Sequence, residues 1–279
     1  MKTALKKTSQ SLLLIILVVS AYGTPVPRIP DWLSGKVIVS DQKSIVTDDR
    51  GRPVDYDAGD VISISEAGNL AYRRAKDSAV VSAMAILKNI RIDSSNTFYD
   101  LLERDHIVRQ KLSDYLNTNV ISREVYIDYL TRGALIELKI SELIKVINYD
   151  FPERAFPLRS DIDISTSYTS LIVDTRGLDV EPMLLPVVYN ENGLEVYSKD
   201  YISASYAVKH NAVSYVYNER EALKHIKAGD KPYFCVALKS IHGSPVLSDD
   251  DLKKVYSDKK NLDSLRKCRV IFIIDRVNE

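Results

Sequence analysis

Few polar residues in this sequence are grouped in a way that could do chemistry. Asp174-Thr175-Arg176-Gly177 is the one cluster that stands directly after an apolar run, Leu171-Ile172-Val173. Loops that follow strands carry the ligand contacts of many α/β proteins, and an arginine fork can clamp an anion with paired hydrogen bonds. Asp174 and Arg176 are therefore the candidate ligand-binding residues; the alternative is a structural pair bracing a tight turn at Gly177. The four histidines, His106, His210, His225 and His242, have no His or Cys partner at zinc or haem spacing. Asp249-Asp250-Asp251 lacks the spaced oxygen ligands and glycine turn of a calcium loop. Acids at a helix start are in any case favoured by the helix dipole. Nucleophile elbows, phosphate loops, zinc-protease helices and dinucleotide fingerprints are all missing. The sequence thus predicts no catalytic residue, no metal and no cofactor. An envelope hydrolase would need an acid pair that no spacing here reveals.

The two cysteines, Cys235 and Cys268, sit in strand-like segments, Tyr233–Leu238 and Cys268–Ile274. In an oxidising compartment they are candidates for one disulfide; two buried thiols behaving as small hydrophobes are the alternative.

The compartment is read from the N-terminus. Lys2, Lys6 and Lys7 precede an unbroken apolar run, Leu12–Val19, and Ala21-Tyr22-Gly23 then offers small-x-small exit residues. A charged start, an apolar core and that exit make a cleavable signal peptide. It predicts cleavage between Gly23 and Thr24, an exported chain and a periplasmic or secreted location. The run is short for a spanning helix, which needs roughly 20 apolar residues, so no membrane insertion is expected after cleavage. Without the three leader lysines, the 38 basic residues fall to 35 against 38 acidic ones. Such a balance, with no basic block, argues against nucleic acid as a partner.

The patterning predicts an α+β protein of two small domains, each a mostly antiparallel sheet packed with helices: residues 31–149 and 168–279, joined by a linker over 150–167. In the first, Ala67, Ala71, Ala75, Ala79, Ala83 and Leu87 recur at helical spacing from Ser65 to Lys88. Asn89–Asp93 reads as a short strand, and Thr97-x-x-Asp100 caps a helix that breaks near Asp105. Alternation around Val125 and Ile136 marks two strands joined at Thr131-Arg132-Gly133. In the second, Pro186–Tyr189 and Leu194–Tyr197 flank Asn192-Gly193, a pair suited to a type I′ hairpin turn. Asn218-x-x-Glu221 and Ser248-x-x-Asp251 cap further helices, and Cys268–Ile274 closes the domain as a buried strand.

Tyr168–Leu178, Glu181–Pro186, Gly193–Tyr197 and Leu265–Asp275 together resemble a family of exported bacterial proteins. Ala71–Lys76, Ile90–Asp93 and the later strand pair resemble the LPP20-type lipoproteins and the N-terminal domain of flagellar assembly protein T. The chain lacks that lipoprotein family's cysteine and the flagellar protein's third domain. The resemblance implies a non-enzymatic interaction or assembly accessory of an outer-membrane or flagellar structure, with envelope or flagellar proteins as partners. A small-ligand or anion-binding protein using Asp174 and Arg176 is the rival expectation.

Overall fold

The computed structural model describes residues 30–157 and 166–276. The expected signal segment with Gly23 and Thr24, and residues 158–165 of the expected linker, lie outside the described residues. The elements are β1 (Lys36–Ser44), α1 (Ile64–Lys88), α2 (Phe98–Arg104), α3 (His106–Thr118), β2 (Ile121–Asp128), β3 (Thr131–Lys139) and a 3-10 turn at Ile140–Lys145. They continue with β4 (Ser170–Asp174), β5 (Val188–Tyr189), β6 (Glu195–Tyr197), α4 (Ala204–His210), β7 (Ser214–Val216) and α5 (Glu219–Lys224). The last are β8 (Pro232–Val236), β9 (Lys239–Ile241), β10 (Ser244–Val246), α6 (Asp249–Val255), α7 (Lys259–Arg266) and β11 (Val270–Ile273).

The chain is α+β, and its compact units interleave in sequence. One is drawn from Val39–Ser82 and Ser122–Ile136; the other from residues 30–38, Ala83–Ile121 and everything described after Ile136. The first unit is a three-stranded sheet in the order β1-β3-β2 with α1 as its helix. Ser63 opens α1, its hydroxyl accepting from the Glu66 N–H at 3.1 Å while Glu66 reaches back to the Ser63 N–H at 3.3 Å. That reciprocal cap satisfies amides that have no partner inside the helix. Ala67, Ala71, Ala75 and Ala79 are all buried, and Ala67 and Ala71 pack with Ile45. Arg74 donates to the Ser44 carbonyl at 2.7 Å, and Ser78 bonds Asp41, so the helix is clipped to β1 by side chains as well as packing. The hairpin turn falls at Tyr129-Leu130, earlier than expected, and Gly133 lies inside the central strand. A Cβ there would stand 3.3 Å from the Val125 side chain and 3.4 Å from the Asp41 carbonyl, so this glycine serves close strand approach and not a turn.

The second unit joins segments from both sides of the expected linker. Residues 83–121 belong with the C-terminal segment: the Arg91 and Ile92 carbonyls accept from Leu184 and Leu185 N–H at 2.9 and 2.7 Å, and Arg91 pairs with Glu181. The expected strand at Asn89–Asp93 therefore keeps only a single bridge, Arg91 to Thr97. The caps are as the sequence predicts. Thr97 and Asp100 form a reciprocal box on α2, and the chain breaks at Asp105, whose carboxylate accepts from Ile107 and Val108 to start α3. Half of the expected linker is anchored too, since Phe156 stacks on Tyr201 at 5.3 Å and meets Tyr256 edge-on.

Two four-stranded sheets complete this unit. One runs β6-β5-β10-β9 with mixed pairing; the other, β7-β11-β4-β8, is parallel throughout. The antiparallel pairing expected for this half is thus confined to the smaller sheet. Parallel strands need crossover connections and cover on both faces, which is why the Leu171–Val173 stretch of β4 and all of β11 are apolar and buried. The type I′ turn also sits elsewhere than expected. Asn190 shapes the β5–β6 loop by accepting from the N–H groups of Asn192 and Leu194, whereas His242 and Gly243, with φ of 50° and 76°, form the two-residue β9–β10 hairpin.

The alanine face of α1 generates a test. Ala75→Leu forces extra methylenes into a fully buried position and is expected to cost about 1–3 kcal/mol in urea denaturation. Val81→Ala, on the exposed side of the same helix, is expected to stay within about 0.5 kcal/mol.

Candidate functional site

Asp174, Thr175, Arg176 and Gly177 lie at the carboxyl end of the parallel sheet, where β4 finishes between β11 and β8. Thr175 is held by the neighbouring strand end: its N–H and hydroxyl both donate to the Ile273 carbonyl, at 2.9 and 2.8 Å. Arg176 folds back on Asp174 in a fork, with Nε to Oδ1 at 2.9 Å and Nη2 to Oδ2 at 2.6 Å. Its Nη2 also pairs with Glu219, the first residue of α5. Gly177 N–H donates to the Asp275 carboxylate at 2.7 Å, and its φ of 75° suits the turn.

The electrostatics follow from this geometry. Hydrogen bonding from the Arg176 side chain holds the Asp174 carboxyl below the usual carboxylate range, against a smaller opposing effect of burial. Glu219 is lowered by its own backbone N–H and then by Arg176. Arg176 is raised, chiefly by its bonds to Asp174 and Glu219. One cation is thus shared by two carboxylates, and the Asp275 carboxylate, from the segment after β11, binds the same turn. An incoming anion would have to displace a carboxylate from the guanidinium and would meet the negative charge left behind. The sequence correctly placed Asp174 and Arg176 together after a strand, and their arrangement here is that of a brace between β4 and α5.

A second cluster, which sequence reading missed, lies at the opposite, amino end of the same sheet. Lys227 precedes β8 and is 5% exposed. Its ammonium nitrogen donates to the Asn211 carbonyl at 3.0 Å, and its own N–H donates to His225 Nδ1 at 3.1 Å. Burial lowers its pKa to about 7, with the Cys268 thiol acting in the opposite direction. Asn211 and Cys268 both hold left-handed backbone, φ 63° and 58°. The only signal that could have pointed here was a lysine flanked by apolar and small residues, Ile226-Lys227-Ala228.

The cysteines do not pair. Both are buried free thiols. Cys235 on β8 is in register with Val173, which is in register with Phe272 of β11, so β4 stands between them. Two strand spacings of about 4.8 Å each already exceed the Cα separation a disulfide spans, and Cys268 lies further back along the chain. Burial pushes the Cys268 thiol up to about 11 and raises that of Cys235 as well. Neither is a reactive thiolate.

Among the described residues, no group of His, Cys, Asp and Glu could hold a metal ion, and no helix is long and apolar enough to cross a membrane. A recess lined by Tyr168, Tyr233, Asn261 and Leu265 has room for about one water.

The parallel sheet with its helices and the small mixed sheet define an α/β module whose loop after β4 is closed by ion pairs. Residues 170–276, which span this module, match the family model of the second domain of Treponema pallidum Tp0624. A comparison with curated proteins gives no match.

Two measurements test the electrostatics. For Asp174 the folded pKa is depressed, so the pair's contribution is present above the unfolded carboxyl value and is lost as pH falls through the folded one. Arg176→Ala should lower the melting midpoint at pH 7, and the loss should shrink progressively as pH falls below the unfolded carboxyl value of about 3.9. For Lys227 the folded pKa is below that of the unfolded chain. Between these values the unfolded state binds more protons, so stability rises with pH. The stability of the parent protein relative to Lys227→Met should climb from about pH 7 to about pH 10; a flat difference would show that the amine is not held low.

Proposed function

We propose that this chain is an exported, non-enzymatic interaction protein, an assembly accessory of an outer-membrane or flagellar structure. The leader-like residues 1–23 support export to the periplasm or beyond. The envelope setting is proposed on the likeness of Ala71–Lys76, Ile90–Asp93 and the later strand pair to LPP20-type lipoproteins and flagellar assembly protein T. The observation that carries the reading is the open edge strand β2. Tyr126 and Ile127 on the strand, and Tyr129 and Leu130 at its turn, are all exposed, at 63%, 38%, 65% and 48%. Side chains of both faces of the strand are uncovered together. Amphipathic aromatics with free edges are enriched at protein interfaces, and an unpaired edge strand offers backbone groups to a partner. The rival anion-binding reading needs a free cation, and at Arg176 the guanidinium already holds two carboxylates.

Photo-crosslinking amino acids placed singly at Tyr126 and Tyr129 in living cells provide the test. Both positions should yield the same defined adduct, identified by mass spectrometry as an envelope or flagellar component, while the exposed Arg50 position yields none. Absence of adducts at both tyrosines, with envelope integrity and motility unchanged on gene deletion, would overturn the proposal.

A further inference from the structure

The strongest unassigned surface is the outer edge of the parallel sheet. β8 is the last strand in the order β7-β11-β4-β8, and β9, the last strand of the other sheet, follows it after only Ala237 and Leu238. Residues 232–241 therefore form the outer strands of two successive sheets. The handover is visible in the bonding: Ala237 N–H donates to Asp174 of β4 at 2.9 Å, and Leu238 N–H donates to Val246 of β10 at 2.8 Å.

Backbone and side chains on β8 both point to a docking edge. Lys231 accepts from Thr169, and Ala237 donates to Asp174, so the odd-numbered residues turn their peptide groups toward β4. The even-numbered ones, Phe234 and Val236, turn theirs outward. The side chains of Phe234, Val236 and Leu238 recur at strand spacing and are 42%, 59% and 53% exposed, while the intervening Cys235 and Ala237 are buried. Phe234 is in register with Ile172 of β4, which is fully buried against Ala222 and Ala228. The cover over this face, α5 and the turn after it, stops at Ile172 and leaves the next strand bare. Leu223 and Ile226 are exposed on that cover, at 57% and 83%.

The charges at the edge select the occupant. In a two-fold pairing with a second copy that sets Phe234 against Val236, Lys231 falls opposite Lys239. Like charges directly opposed destabilise a strand pair, and Pro232 withholds a donor at one end. Lys231 and Lys239 instead bracket the apolar ridge, with Lys224 exposed on α5; Asp230 is the acid next to Lys231. We infer that the β8 edge takes up an extended segment of another protein, alternating apolar residues toward Phe234, Val236 and Leu238, with acidic residues at its ends. It docks by strand addition, where main-chain bonds supply affinity and alternate side chains supply specificity. This rests on the interaction reading above and names a site and a partner chemistry for it.

The probe is the fluorescein-labelled peptide Glu-Val-Thr-Val-Thr-Val-Thr-Val-Glu, followed by fluorescence anisotropy on the full chain. It should bind and slow hydrogen exchange at the Phe234 and Val236 amides. The same peptide with lysine ends should bind about tenfold more weakly. Val236→Pro removes only an outward-facing donor and should weaken binding by about tenfold or more. A Lys231→Glu/Lys239→Glu variant, which leaves the backbone untouched, should reverse the preference between the two peptides even if Val236→Pro fails to fold. Absence of peptide binding, equal affinity for both peptides, or concentration-dependent self-association protecting the same amides would each overturn the inference. Tyrosine adducts at β2 together with a silent β8 would leave the proposed function standing and remove this site alone.

Discussion

The pairing of β11 between β4 and β7 is the constraint on which the C-terminal part of this protein depends. Three parallel strands in register, with β8 added beside β4, cannot be joined by tight turns. Every connection must cross a face of the sheet, and the crossing elements become its cover. Here they are short: α5 has six residues and α6 seven. Such pieces cover β7, β11 and the middle of β4, but the edge strand β8 only on one side. Ile172 and Ile271 are fully buried while Phe234, one strand over, is not. The same arrangement that makes the core leaves an apolar edge.

The two ends of this sheet show different ways of dealing with polar groups. At the carboxyl end, where α/β proteins often place ligands, Asp174, Arg176 and Glu219 satisfy one another, and the turn at Gly177 is tied to Asp275. Charge is held near the surface, where pairing costs little desolvation. At the amino end a lysine is buried with a single carbonyl acceptor, so the low dielectric acts on it directly and its charged form is disfavoured. Chemistry-bearing residue types are present at both ends, and at each they are engaged with one another or with backbone. Exposed apolar side chains lie along the strand edges.

Much of the local structure was legible from the sequence because it depends on nearest neighbours. The alanine spacing of α1 is a periodicity within one helix, and the Thr97–Asp100 box, the break at Asp105 and the caps at Asn218 and Ser248 each involve side chains bonding amides within a turn of themselves. Where reading went astray, the reason was long-range. Ile90-Arg91-Ile92 alternates as a strand should, yet its carbonyls are taken by Leu184 and Leu185. Asn192-Gly193 has the composition of a type I′ turn, but the Asn190 side chain bonds across the loop and fixes a different one. The left-handed pair was His242-Gly243, whose histidine gives no such signal.

The sequence by itself determined that this is an α+β chain, that Asp174 and Arg176 stand together after a strand, and that no motif for metal or nucleophilic chemistry is present. These properties follow from residue type and short spacing. Tertiary structure alone decided that the larger C-terminal sheet is parallel, that residues 83–121 join the C-terminal segment, that β4 separates Cys235 from Cys268, and that Arg176 is neutralised by Glu219 as well as Asp174. Strand order and cover bring together residues far apart in the chain, and no local periodicity records which strand will lie beside which. The exposure of Phe234, Val236 and Leu238 belongs to that second group: their apolar alternation can be read in the sequence, but only the fold shows that α5 stops one strand short of them.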